Sequence, residues 1–493
     1  MARPYVLSLE AASGAPEGEP LYASIARAVA ADIARGRLKP DEKLPGSRAL
    51  AATLGVHRNT VLAALRELTA QGWVEARPAR GVFVRALAAA EQPRPSARAA
   101  RLRSEVPRRP GFDFDASPLH PHAVGRGAPP KQLVLTGGVP DPRLFPAELL
   151  ARAYRRALRR RGGELLDYGD AYGDRRLRAA LADMLTRLRG IAASPDDVLI
   201  TRGSQQAIWL AAHCLLGPGD RVGVECWGYP PAWSALRGTG ATLVPLEVDG
   251  EGVSLASIER ALEGGPLRAL YLTPHHQYPT MVALSAQRRI GLLRLLAQHR
   301  IALLEDDYTH EFHFEGRPRL PLASADRDGH VVYIGTLSKI LAPGLRIGYA
   351  VAPPAVLARM AALRTSVDRQ GDAIAEAAVA ELLEDGEIER HARRMRRIYH
   401  ARRDVLAEAL TRHLGDRVSF ALPQGGMAFW VQVQDGAAIP RWVERARARG
   451  VIFRAGSELH VAPRGDEPFV RMGFTRLDEA ELERAVRIVA ATA

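Results

Sequence analysis

The chain carries 68 lysine and arginine residues, and only four of them are lysine: Lys39, Lys43, Lys131 and Lys339. A chain that writes arginine almost everywhere keeps lysine where a primary amine is chemically required, because a guanidinium stays protonated and cannot act as a nucleophile. Beyond residue 131 the sole candidate is Lys339, in GTLSKILAPGLRIGY (335–349), with Thr336 and Ser338 before it and Arg346 after it. Two other segments place reactive groups behind apolar runs. EDDY (305–308) supplies carboxylates and Tyr308, a set that alone fits a metal site or a solvated turn. Gly203–Ser204–Gln205, in ITRGSQQAIW, opens a helix whose first N–H groups suit a phosphate. Alone it reads equally as an ordinary strand-to-helix turn.

These groups need elements to hold them. From Lys131 onward, short apolar runs read as buried strands: 197–201, 221–225, 241–246, 268–274, 301–307, 331–335 and 346–351. Amphipathic stretches such as Gln205–Leu216 and Gln287–His299 read as helices between them. Strand–helix alternation predicts an α/β fold with a mostly parallel sheet, whose ligands sit beyond the strand C-termini. Residues 86–130, rich in Arg, Pro, Ala and Ser, read as a linker that cannot bury enough apolar surface to fold alone. Residues 20–85 read as a separate unit. Leu21, Ile25, Val29 and Ile33 recur at helical spacing, a short helix follows Pro45–Gly46–Ser47, and a third starts near His57. Two strands around Pro78–Gly81 complete a winged helix. Eleven basic residues stand against five acidic ones in this unit, and the whole chain carries 68 − 55 = +13, which permits a nucleic-acid partner.

Residues 21–84 resemble a GntR-type winged helix–turn–helix over its full length. The shared landmarks are the turn Gly36–Pro40, LPGSR at Leu44–Arg48, LGVHRNTV at Leu54–Val61 and the wing glycine Gly81. Asp41 stands where the family usually has glycine, and His57 where serine or threonine often starts the recognition helix. The start of such a helix enters the major groove, so His57, Arg58, Asn59 and Thr60 are the expected base readers of double-stranded operator DNA. Arg48 is placed for a phosphate, and Arg80 at the hairpin tip for the minor groove or the backbone.

An amine, a carboxylate, a nearby hydroxyl, phosphate donors and a flat ring are what pyridoxal phosphate requires. Residues 131–493 resemble class I (fold type I) aminotransferases. The whole arrangement resembles the MocR/GabR-type regulators of the GntR superfamily: a multidomain protein, with a winged helix linked to an α/β aminotransferase-like domain. The resemblance implies Lys339 as the lysine that forms a Schiff base with pyridoxal 5'-phosphate, and Asp306, rather than Asp307, as the carboxylate on the pyridine nitrogen. Tyr308 and the loop residues His276 and Gln277 are implied near the phenolic oxygen. Ser204, Gln205, Thr336 and Arg346 are implied at the phosphate, Tyr229 against the ring, and Tyr168 at the phosphate of a partner subunit. Arg471, in FVRMGF (469–474), is implied as the arginine for the ligand's carboxylate. Met281 departs from the family's glycine, and Pro230–Pro231 follow Tyr229 where an arginine is common.

The expected function is a pyridoxal-phosphate-dependent, DNA-binding transcriptional regulator that senses a small amino compound. The alternative is a working aminotransferase with an accessory DNA-binding arm. A purely structural DNA-bridging protein would leave the cofactor constellation unexplained. A homodimer is expected, because fold-type-I sites are usually built at a two-fold interface. Two cysteines, Cys214 and Cys226, cannot make a disulfide framework, and no apolar run reaches a membrane span. The expected compartment is the cytoplasm, with no membrane partner.

Overall fold

The computed structural model describes residues 20–78, 80–85, 113, 132–316, 319–463, 465 and 467–493. The segment read as a linker therefore lies outside the described residues, Asp113 excepted. The chain divides into two compact units, Met1–Ser117 and Pro118–Ala493.

In the small unit three helices, Leu21–Ala34, Ser47–Leu54 and Arg58–Ala70, precede an antiparallel hairpin of Val74–Arg77 and Gly81–Val84. The helical spacing places Ile25, Val29, Ile33, Leu50, Leu54, Val61, Leu65 and Leu68 in one buried core with Val74 and Val84. Gly55 ends the second helix in the left-handed conformation that glycine adopts without a Cβ penalty. Asp41 also sits at positive φ (59°), so the chain places a short polar residue in the conformation where the family uses glycine.

All seven strands read from the sequence form one sheet, in the order Val198–Thr201, Gly348–Val351, Val331–Thr336, Ala302–Asp307, Ala269–Leu272, Arg221–Glu225, Thr242–Leu246. Gly348–Val351 pairs antiparallel with both neighbours, and the remaining pairs are parallel. Six strands therefore point the same way and end at one edge. The central strands are buried along nearly their whole length, because helices cover both faces. One face packs helices such as Ala286–His299 and Ala373–Glu384, and the other packs Ser204–Leu215 and Pro354–Val367. The C-terminal part adds a helix of 28 residues, Glu387–Leu414. A second, antiparallel sheet follows, with strand order Val418–Phe420, Ala428–Val433, Phe469–Gly473, Arg454–Ala455. Its core also takes in Leu133 and Leu135, where Leu133–Val134 pairs with Val451–Ile452.

Two close backbone approaches set the edge where the strands end. At Gly348 an added Cβ would lie 2.5 Å from the carbonyl carbon of Gly203 and 2.7 Å from Ser204 N. At Gly473 it would overlap Gly137. Neither contact can relax by rotating a side chain. Gly348→Ala is therefore expected to cost about 1–3 kcal/mol through overpacking. The measure is a lower denaturant midpoint at unchanged slope, and an unchanged midpoint would contradict the contact.

Candidate active site and DNA-binding surface

Five candidate side chains of the large unit lie at or beyond the ends of the aligned strands. Lys339 lies three residues beyond Val331–Thr336, Asp306 is the last residue but one of Ala302–Asp307, and Ser204 starts the helix after Val198–Thr201. Tyr229 follows Arg221–Glu225, and Tyr278 follows Ala269–Leu272. These five residues, with Tyr308 and Arg454, line one cavity of about 280 Å³.

The two neighbouring carboxylates separate by strand alternation. Asp306 lines the cavity. Its Oδ2 accepts a hydrogen bond from Tyr271 Oη at 2.7 Å, and its Oδ1 is buried with no hydrogen-bond partner. Burial pushes its carboxyl up to about 6, opposed by the Tyr271 hydrogen bond. Asp307 points the other way. It meets His310 Nδ1 and accepts from Tyr333 Oη, both at 2.8 Å. Although burial raises its pKa, its interactions with His310, His275 and Arg189, the His310 hydrogen bond among them, hold it well below the usual range. The Lys339 amine is pushed down to about 8, first by burial and then by the positive charge of Arg471, while Asp306 pulls it back up.

Other residues read from the sequence surround this cavity at varying distance. Tyr308 is buried, with its hydroxyl 4.0 Å from Met281 Sδ. Tyr229 stands edge-on to Tyr278 at 5.5 Å, and burial pushes its phenol up to about 12. Gln205 donates to Pro231 O at 2.8 Å and leaves Oε1 buried and unpartnered. Thr336 is buried and donates to Ile347 O at 3.2 Å. Arg346 is exposed, at φ 50°, with its guanidinium against Gly203 and donating to Arg202 O at 3.0 Å. Arg471 is fully buried one layer behind the cavity wall. Its Nη1 donates to Thr136 O at 2.6 Å, its Cζ lies 4.4 Å from the Tyr278 ring centre, and Nε and Nη2 have no partner.

His276 does not reach this cavity. Its Nδ1 meets Thr309 Oγ1 at 3.0 Å, and the ring lines a different cavity of about 770 Å³ with Trp227, Met281 and His313. The loop carries on past Gln277, whose side chain is used on Trp227 O and Tyr278 O, so that the Tyr278 ring forms the wall instead. Tyr168 lies outside the cavity of its own chain, 73% exposed beneath the Arg369 guanidinium at 3.9 Å. Tyr278 and Arg454 went unread in the sequence. Tyr278 stands in the very loop that carries His276, and Arg454 lies directly opposite Arg471 in the antiparallel pair. Met281, at φ 64°, takes the left-handed conformation that its replaced glycine would adopt freely.

On the small unit, Arg48, His57, Arg58, Asn59, Arg80 and Gly81 are exposed and Thr60 is half-buried. His57 caps the third helix, with Nδ1 accepting from Asn59 N at 3.3 Å. Arg58 Nε donates to Ser47 Oγ at 3.3 Å and so ties the two helices of the helix–turn–helix together. Gly81, at φ 112°, packs on the Lys43 side chain, where a Cβ would lie 2.9 Å from Cε.

Comparison with known proteins agrees with both halves. The family of bacterial regulatory proteins, gntR family, matches residues 21–84, and aminotransferase class I and II matches residues 132–489. The HTH-type transcriptional regulator TauR of Rhodobacter capsulatus is 34% identical over 97% of both chains. The "Probable rhizopine catabolism regulatory protein MocR" of Rhizobium meliloti is 32% identical over 83% of this chain and 80% of its own. Among solved structures, the α-aminoadipate aminotransferase LysN of Thermus thermophilus, complexed with N-(5'-phosphopyridoxyl)-L-leucine, is similar at 31% identity. It covers 74% of this chain and 92% of its own, with a TM-score of 0.69. A class I and II aminotransferase domain indicates pyridoxal phosphate as the cofactor. With both models matched in one chain and a regulator aligned from end to end, the protein belongs to the MocR-type transcriptional regulators: gntR-family DNA-binding proteins whose large unit is a fold-type-I aminotransferase domain.

Proposed function

We propose that the large unit is a sensor for an amino compound, which takes the place of Lys339 on the cofactor and thereby alters DNA binding by the small unit. The observation that carries this reading is the convergence of Lys339, Asp306, Tyr229, Tyr308 and Ser204 on one cavity in a chain that also bears a winged helix.

The residues fit pyridoxal phosphate. Asp306 Oδ1, Ser338 Oγ and Gln205 Oε1 are buried polar atoms without partners among the described residues, and such atoms are costly unless a ligand satisfies them. When bound, the cofactor supplies an aldehyde carbon that amines exchange on and a ring that acts as an electron sink. Lys339 would hold the aldehyde, and an amine pushed down to about 8 is unprotonated in a useful fraction at neutral pH. Asp306, whose Oδ1 has no partner while Oδ2 accepts from Tyr271, would hold the pyridine nitrogen. Tyr308 would serve the phenolic oxygen and Tyr229 would pack against the ring. Ser204, Gln205, Thr336 and Arg346 would hold the phosphate, at a helix start where N–H groups converge. Arg471, with two free nitrogens, attracts the acidic group of the effector, a carboxylate or a sulfonate.

We read the protein as a cytoplasmic homodimer in which residues 86–130 link the two units. The exposure of Tyr168 supports its reaching a partner's cofactor phosphate. Among the described residues no helix is long and apolar enough to cross a membrane. Effector binding needs to favour one state by only about 1.4 kcal/mol to change DNA affinity tenfold.

The holo-protein is expected to be yellow, with a visible band that borohydride fixes onto the chain. Lys339→Ala should lose the fixed label while the cofactor still binds reversibly, and a wild-type chain that cannot be loaded with pyridoxal phosphate would refute the reading. In the cofactor-free protein only the neutral amine acylates, so labelling of Lys339 should rise through a midpoint near pH 8, against about 10.4 for a free lysine. Asp306→Asn removes the carboxylate that raises this value and should move the midpoint lower; a peptide-resolved labelling profile checks both. On operator DNA, Arg58→Ala should cost about 1–3 kcal/mol and relax one base position. Arg48→Ala should weaken all sequences alike and lower the salt slope by about one unit, as measured by mobility-shift titration.

A further inference from the structure

The helix Ala147–Leu165, with sequence AELLARAYRRALRRRGGEL, carries arginines at 152, 155, 156 and 159. Spacings of three and four residues bring these side chains onto one face, where like charges repel. They frame a surface notch of about 230 Å³ that has no other lining residue among the described residues.

Among the described residues, one of these four arginines is held by acids. Arg156 pairs with Glu381 at 3.0 Å and Asp385 at 3.2 Å. Nearby, Arg160 pairs with Glu381, Arg161 with Glu164 and Asp174, Arg176 with Glu384, and Arg187 with Asp183 and Glu389. Arg152, Arg155 and Arg159 are exposed and make no side-chain hydrogen bond or ion pair among the described residues. Glu387, the acid that senses Arg152, is itself bonded to Arg390. Arg152, Arg155 and Arg159 thus stand together on one helix face, around a notch lined by arginine alone among the described residues, with no ion pair to hold them.

We propose that this notch is a second DNA contact, in which Arg152, Arg155 and Arg159 seat backbone phosphates of duplex DNA while Arg156, held by Glu381 and Asp385, fixes the fourth wall. Guanidinium forks match phosphate oxygens in pairs. Seven residues of helix span on the order of 10 Å, enough to face more than one phosphate along a strand. A backbone contact needs no base edge, so it adds affinity without adding sequence specificity. Duplex DNA is favoured over an acidic protein because this chain belongs to a DNA-binding family.

The test uses the full-length holo-protein and a random-sequence duplex of about 60 bp, with affinity measured by fluorescence anisotropy between about 50 and 200 mM salt. Replacing Arg152, Arg155 and Arg159 together by glutamine is expected to reduce the slope of log K against log salt by about 2–3 units, at about 0.9 per phosphate released. The corresponding triple lysine variant keeps the charges and should keep the wild-type slope to within about half a unit. A glutamine variant whose slope falls by less than about one unit overturns the proposal. So does a lysine variant that loses as much as the glutamine one, since that outcome marks a structural rather than an ionic role.

Discussion

An amine buried beside a carboxylate is the constraint around which the large unit is organised. Burial alone drives Lys339 toward its neutral form and Asp306 toward its protonated form, and each opposes the other's shift. That balance needs a cavity with little water and walls that do not move, because both groups respond to small changes in solvation. The parallel sheet supplies it. Ala302–Asp307 and Val331–Thr336 are adjacent and parallel, with Asp306 opposite Ile334, so the acid and the lysine segment emerge from the same edge. Gly348 and Gly203 then let the neighbouring strand approach the turn that opens the helix at Ser204.

The same edge separates two carboxylates that adjoin in sequence. Side chains alternate across a strand, so Asp306 and Asp307 face opposite sides of the sheet. One meets Tyr271 and the cavity. The other meets His310 and Tyr333, within reach of the charge of the fully buried Arg189. Arg189 in turn is bonded to Tyr333, Tyr349 and Glu311. Asp307 thus belongs to a buried ionic network that braces the strand, and this frees Asp306 for a ligand.

Arginine has three different roles in this molecule. Arg189 and Arg364 are structural: Arg364 is fully buried and ties Ala171 and Ile200 together through their carbonyl oxygens. Arg471 is buried too but keeps Nε and Nη2 without a partner among the described residues, behind the Gly137–Gly138 turn. The exposed arginines form a third group, some paired with nearby acids, as Arg187 is with Asp183 and Glu389, and others without an ion pair among the described residues, as Arg294, Arg359 and Arg447 are.

Local signals in the sequence were sufficient for much of this. Helical spacing and turn residues set the three helices and the hairpin of the small unit, and the apolar runs set all seven strands of the large sheet to within a few residues. The lone late lysine pointed to a residue that lines the cavity, because an amine is a chemical requirement that composition alone exposes. Strand order and the reversed direction of Gly348–Val351 were not legible, since pairing joins segments far apart in the chain. Nor was the exchange of His276 for Tyr278 on the cavity wall, or the place of Arg454. Both depend on how a loop and a second sheet pack against the first, and side-chain direction in such places follows from packing and hydrogen-bond satisfaction rather than from residue type or spacing.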